Sequence, residues 1–242
     1  MSVLTLSILV ICTSLTAIIS AVSGMGGGVV LLSVMTLFLP ITTIVPVHGV
    51  VQLFSNTSRT WLLRKNVIKP IFLWFCVGLP LGTFTSIQII KSVQNKEVFL
   101  LLIAALIFYS IFKPKKLPQL KISYWCFIFI GFAVGILGPL IGSTGPAMAP
   151  FFIRDDFSKE QIVATKSSVQ TIGHLIKIPT FLYLGFNYLE YANLTILMVV
   201  AALLGTTIGV KILGKIQEGH FKIIFKCALF IAGVRILYKV LV

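Results

Sequence analysis

Charge is missing from the start of this chain: no Asp, Glu, Lys or Arg occurs before Arg59. Acidic residues stay scarce to the end. Glu97, Asp155, Asp156, Glu160, Glu190 and Glu218 are the full set, all at or near the ends of apolar segments. A deep carboxylate is the usual seat of a membrane proton relay or cation site, so its absence disfavours a cation transporter. The patterns of catalysis are missing too. There are no paired carboxylates, no Ser-His-Asp set, no HExxH and no GxxxxGK[ST] phosphate loop. The chain therefore reads as a non-enzyme with no cofactor and no metal. A single-chain ATP-driven pump is disfavoured, although a separate ATPase subunit stays compatible. Cys12, Cys76, Cys126 and Cys227 lie in apolar runs without metal-ligand spacing and read as inert buried thiols.

Apolar sequence is abundant. The 242 residues are 57% hydrophobic and 11% charged, with a mean hydropathy of +1.05. That is the composition of a polytopic helical membrane protein, with the lipid bilayer as its partner. The net charge of +14 does not point to nucleic acid, because the basic residues are scattered among apolar segments. They read as topology determinants facing the cytoplasm. Ala21-Val22-Ser23 resembles a signal-peptide cleavage site, but no basic region precedes it and the apolar run continues to Leu39. A retained first helix is expected.

Taken in order, the sequence predicts a helix over Val3 to Ser23 and a short one over Gly28 to Leu39, separated by glycines. Pro40 and Pro46 bracket the next turn, and a polar-striped helix ends near Arg64-Lys65. Helices over Pro70 to Ile90 and Val98 to Phe112 complete a first repeat, residues 1–112. A basic linker, 113–121, carries Lys113, Lys115, Lys116 and Lys121. The pattern then restarts in a second repeat, residues 122–242. Ile122 to Ile153 is broken from Gly138-Pro139 through Pro146, a second striped helix spans Gln161 to Leu184, and helices follow over Tyr191 to Leu213 and Phe221 to Val242.

Two features recur at one offset. His48, Gln52, Asn56 and Arg59 follow the spacing i, i+4, i+8, i+11, which places them on one helical face. Lys166, Gln170, His174 and Lys177 repeat that spacing. Upstream of each stripe lies a break, Gly24-Met25-Gly26-Gly27-Gly28 and Gly142-Ser143-Thr144-Gly145-Pro146. Backbone freed at membrane depth is tolerated where it is packed in protein or lines a cavity. A half-helix starting there aims N–H groups and a positive dipole end at an anion, and Ser143 and Thr144 add hydroxyl donors. Gly78, Gly82, Gly205 and Gly209 read instead as close packing of helices. Arg59, Lys166 and Lys177 have a second reading as snorkelling side chains near helix ends, and a lone His48 reads equally as a core histidine.

Orientation follows from Lys and Arg. If each broken segment crosses once, Lys211, Lys215 and Lys222 fall outside, against the positive-inside rule. If each turns back as a re-entrant hairpin, they fall in the cytoplasm and the two striped helices run in opposite directions. The second arrangement is expected: five crossings per half, an inverted repeat and both termini outside.

The strings SGMGGGVVLLSVMTLFLP and VHGVVQLFSNTSRTWLLRKN, with GPLIGSTGPAMAPFFI and ATKSSVQTIGHLIKIP in the second half, resemble the sulfite exporter TauE/SafE family of bacterial and archaeal permeases. The resemblance spans essentially the whole chain. It implies a multi-pass secondary transporter of the cytoplasmic membrane for sulfite, sulfonates or related small anions. It also implies that the motif region falls on Gly24, Gly26, Gly27, Gly28, Gln52, Asn56, Gly142, Gly145, Gln170 and His174. Thr144 and Pro146 depart from a plain glycine-rich second break. The expected substrate site thus comprises both breaks and both stripes, with coupling to protons carried by a histidine or by the substrate's own ionisation. An anion-selective pore and a membrane subunit of a larger complex are the alternatives.

Overall fold

The computed structural model describes residues 2–23, 26–95, 97–112, 120–152 and 154–213, together with Phe230, Val234 and Tyr238. Gly24, linker positions 113–119, Lys215, Lys222 and the rest of the expected last helix lie outside these residues. Among the described residues the chain is all helical, with no strand. The helices are α1 (Val3–Ser23), α2 (Gly27–Thr36), α3 (Ile41–Leu62), α4 (Lys69–Ser92), α5 (Glu97–Phe112), α6 (Phe127–Ile141), α7 (Gly145–Phe152), α8 (Lys159–Leu175), α9 (Lys177–Tyr183) and α10 (Ala192–Lys211).

Among the described residues, four stretches are long and apolar enough to cross a membrane: Val3–Val22, Lys69–Ser92, Tyr124–Ile141 and Tyr188–Lys211. They hold most of α1, α4, α6 and α10. Their outward faces carry large apolar side chains such as Leu73, Val77, Leu81 and Phe84, as expected against lipid. The striped helices α3 and α8 are too polar to join that set. Their polar residues are turned inward instead, and His48, Asn56, Arg59, Lys166 and His174 are all buried.

Close backbone approach holds the outer helices together. Gly78 and Gly82 of α4 lie against the Ile128 and Phe132 carbonyls of α6, while Gly131 and Gly135 lie against those of Phe75 and Leu79. Gly205 and Gly209 of α10 meet the Ser14 and Ile18 carbonyls of α1. A Cβ at any of these positions would enter a neighbour's backbone. Small residues serve this purpose in lipid, where apolar burial gives helices little reason to associate.

Both broken segments turn back on themselves. Gly27, at the start of α2, packs on Thr16 O and Ser20 Oγ of α1. Phe127 at the start of α6 meets Phe152 at the end of α7, ring centroids 5.3 Å apart. Gly26 at φ 94° and Gly142 at φ 74° take the left-handed conformation at the breaks, which glycine adopts without strain.

Some boundaries are sharpened or moved relative to expectation. The second break falls at Gly142–Thr144, inside the expected stretch from Gly138-Pro139 through Pro146: Pro139 removes one hydrogen bond without ending α6, and the left-handed Gly142 ends it. Pro46 lies inside α3, and it is Pro40 that caps the helix. The second striped helix divides at Ile176 into α8 and α9. Pro179 accounts for the division, having no N–H to offer Leu175 O. The start of α8 also moves forward to Lys159, where Ser158 and Gln161 form a reciprocal capping box.

Candidate functional site

The two breaks and the two stripes converge. Helices α3 and α8 pack antiparallel along their polar faces. Near the break end the His48 and His174 rings meet at 5.8 Å, edge to face, and toward the other end Arg59 Nη1 donates to Ser167 Oγ at 3.3 Å. The second break enters between them. A Cβ on Gly28 would lie 3.3 Å from Ser143 Oγ and 3.5 Å from Gln52 Oε1. One on Gly145 would lie 3.4 Å from Gln170 Nε2 and 3.8 Å from Lys166 Nζ.

A small enclosed cavity results, lined by Ser20, Gly26, Gly28, Gln52, Asn56, Arg59, Ser143, Gly145, Gln170 and His174. Its free volume is about 10 Å³, roughly what one water molecule needs. An oxyanion of several heavy atoms enters only if the walls move.

Arg59 dominates the electrostatics. It is 2% exposed, and its donors reach only neutral oxygens: Asn56 Oδ1, Ser167 Oγ and Ser55 Oγ, each at 3.3 Å. Its Nε has no hydrogen bond. No carboxylate among the described residues is buried, and the ion pairs there, Lys121–Asp155 and Arg154–Asp156, lie away from the cavity. A buried guanidinium without a counter-ion is costly, and an anion in the cavity would supply that counter-ion. Asn56 is oriented by donating Nδ2 to Gln52 O at 2.8 Å, which turns its Oδ1 to Arg59.

The remaining expected residues divide between a second layer and the packing. His48 donates from Nε2 to Gly28 O at 2.8 Å. Lys177 donates from Nζ to Gly142 O at 2.6 Å and approaches His174 Nδ1 at 3.3 Å. Both are buried behind the lining. Lys166 is fully buried beside Gly145. Thr144 O accepts from Met148 N in the first turn of α7. Gly27 faces α1 and Gly142 faces Leu32 and Val45; neither lines the cavity.

Sequence reading missed Ser20, Ser55 and Ser167. Ser20 ends a Thr13-Thr16-Ser20 stripe buried on α1, and its spacing of three and four was the available signal. Ser55 precedes Arg59 by one helical turn. Ser167 carried no periodic signal, since it sits beside the stripe and not on it.

A second cavity of about 620 Å³ opens at the far end of α3, lined among others by Pro46, Lys91, Pro139, Phe181, Tyr183 and Glu190. Along α3, Pro46 faces this outer cavity and Gln52 the inner one, with His48 between them. Along α6 and its break, Pro139 and Leu140 face the outer cavity and Ser143 the inner one, with Gly142 between them. His48, Gly142 and Lys177 therefore form the partition.

A protein-family model described as Sulfite exporter TauE/SafE matches residues 9–236. No curated protein and no solved structure matches the chain.

Proposed function

The chain belongs to the sulfite exporter TauE/SafE family, and on that premise we propose a secondary carrier of sulfite, sulfonates or related small anions, spanning the cytoplasmic membrane several times. The observation that carries this reading is Arg59, buried without a carboxylate in a cavity lined by hydroxyls, side-chain amides and a histidine. The anion sits between the breaks. The first turns of α2 and α7 supply N–H donors there, since opening turns have no intrahelical partners for them. Pro146 takes one such donor out of α7. Ser143 and Ser20 add hydroxyls, Gln52, Asn56, Gln170 and His174 orient the anion, and Arg59 neutralises it. Lys166 raises the local potential.

The halves 1–112 and 122–242 act as two repeats of opposite orientation. The turned-back segments and the antiparallel packing of α3 and α8 support that reading. Rocking of one half against the other exposes the site to each side in turn. The enclosed inner cavity favours a carrier over an open pore.

The test is uptake of radiolabelled sulfite into proteoliposomes, with sulfoacetate and sulfate as competitors, and counterflow at equal pH. Saturable counterflow is expected, with KM raised in Gln170→Ala and His174→Ala. Unsaturable flux would indicate a pore, and wild-type kinetics in both variants would remove the site assignment. Inactivity of the folded, reconstituted protein would indicate a subunit of a larger complex.

A further inference from the structure

Three titratable side chains form the partition between the cavities, and the anion contacts above leave two of them unused. His48 binds Gly28 O through Nε2, so that nitrogen carries the proton and Nδ1 is left as a bare lone pair. Nδ1 is buried, makes no hydrogen bond and faces the Gly142 backbone. The Gly142 carbonyl is the group that Lys177 Nζ holds at 2.6 Å. His174 closes the set, with Nδ1 toward Lys177 and its ring in the wall of the inner cavity.

The groups facing this cluster are few. Helices α2 and α6 bring no titratable side chain to it, only the backbone of Gly28, Gly138 and Gly142. On its own helices the nearest charges are Arg59 on α3 and Lys166 on α8. Across the outer cavity stand Lys91, Tyr183, Glu190 and Tyr191. No buried carboxylate among the described residues fixes the cluster's charge. An intramembrane ammonium held only by a carbonyl and an imidazole depends on its surroundings for its proton. A bound anion at His174 favours the protonated form, and an empty cavity favours the neutral one.

We propose that Lys177, with His48 and His174, is the proton-coupling site of the carrier: it takes up one proton as the anion binds and releases it when the anion leaves. The proton comes from water in the outer cavity and enters at the bare His48 Nδ1. It then forms an N–H bond with the lone pair of the Lys177 amine, freeing His48 Nδ1 again. No electrons change hands, and release reverses the steps. Coupling is therefore a symport of one proton with each anion, carried by the protein and not by ionisation of the substrate. This assignment rests on the carrier reading above.

Proteoliposomes separate the two claims. Wild-type sulfite counterflow at equal pH tests the carrier reading alone, and accumulation driven by a pH gradient tests coupling. Lys177→Met and His48→Gln are expected to keep saturable counterflow and lose gradient-driven accumulation. Accumulation at the wild-type level in either variant overturns the proposal. So does loss of counterflow in both variants when they run as folded protein in gel filtration, since the cluster would then serve binding itself. Methanesulfonate on the wild-type protein gives a readout that needs no variant, because it stays ionised across the working pH range. Accumulation of methanesulfonate with the gradient supports a proton site in the protein, and counterflow that ignores the gradient overturns it.

Discussion

Gly28 and Ser143, one from each break, face each other across the inner cavity: a Cβ on Gly28 would stand 3.3 Å from Ser143 Oγ. Its other neighbour, Gln52 Oε1, would be 3.5 Å away. Both are ends of side chains that can give way. Gly28→Ala is therefore expected to fold with stability within about 1 kcal/mol of wild type, while its methyl group fills the small cavity and abolishes sulfite uptake. The adjacent Gly27→Ala behaves oppositely. Its Cβ meets the Thr16 carbonyl and Ser20 Oγ, and backbone must move, at a cost of about 1–3 kcal/mol or more. Thermal melting and uptake assays on the two variants check the contrast; equal defects in both would undo it.

Arg59 makes a prediction about stability rather than flux. Because the guanidinium is buried without a carboxylate, Arg59→Met is expected to melt at or above the wild-type temperature when no anion is present. Sulfite at about 100 times its Kd stabilises a protein that binds it only when folded by about 2.7 kcal/mol. Wild type should show the corresponding rise in melting temperature, and Arg59→Met should show none. A lower melting temperature in Arg59→Met without sulfite would mean that the side chain is structural.

Much of this arrangement is legible before folding. The absence of charge up to Arg59 sets α1 at Val3–Ser23, the limits expected, since an apolar run ends only where the glycines interrupt it. The stripe residues Gln52, Asn56, Gln170 and His174 do meet, because period and burial select the same face. What sequence does not carry is depth within a layer. His48 and Lys177 follow the same spacing as the lining residues, yet the turn of each break places a backbone carbonyl between them and the cavity. Proline is what the sequence leaves hardest to place. Pro46 and Pro139 stay inside their helices while Pro179 follows the division of one.

That division at Pro179 can be reversed. Pro179→Ala restores an N–H that can reach Leu175 O, so α8 and α9 can join. The gain in stability is bounded by the proline cost of about 3 kcal/mol in a helix interior. A continuous helix turns Lys177 relative to Gly142 O, which it now holds at 2.6 Å. The expected outcome is a higher melting temperature with weakened gradient-driven uptake. Unchanged coupling would show that the break at Ile176 does not set the position of Lys177.

The loop before α8 gives a pH dependence. Arg154 donates from Nε and Nη2 to both oxygens of Asp156, at 2.9 and 2.7 Å, and from Nη1 to Ile122 O at 3.0 Å. Hydrogen bonding from Arg154, then its charge, holds the Asp156 carboxyl below its ordinary value of 3.8. A lowered folded-state value means that the stabilisation is present above 3.8 and is lost as pH falls through the folded value. The melting difference between wild type and Asp156→Asn should be full at neutral pH and should close below 3.8. A difference that stays constant with pH would exclude the ion pair as its cause.

The distribution of charge predicts which end of the bundle faces the cell interior. Arg64, Lys65, Lys69, Lys121, Arg154 and Lys159 lie where α3 ends and where α4, α6 and α8 begin. Packing brings these ends together: Ile68 N donates to Thr165 Oγ1 at 3.0 Å, and Leu120 N to Pro150 O at 3.0 Å. The opposite end, with Asn95, Glu97, Asn187 and Glu190, has Lys91 as its basic side chain among the described residues, against Tyr183 Oη at 2.8 Å. Basic loops are retained in the cytoplasm during insertion. In a background with its native cysteines replaced, Asn187→Cys should therefore react with a membrane-impermeant maleimide on intact cells. Lys65→Cys should react only after permeabilisation. The reverse pattern would invert the orientation and place the outer cavity, and with it the source of the coupling proton, on the cytoplasmic side.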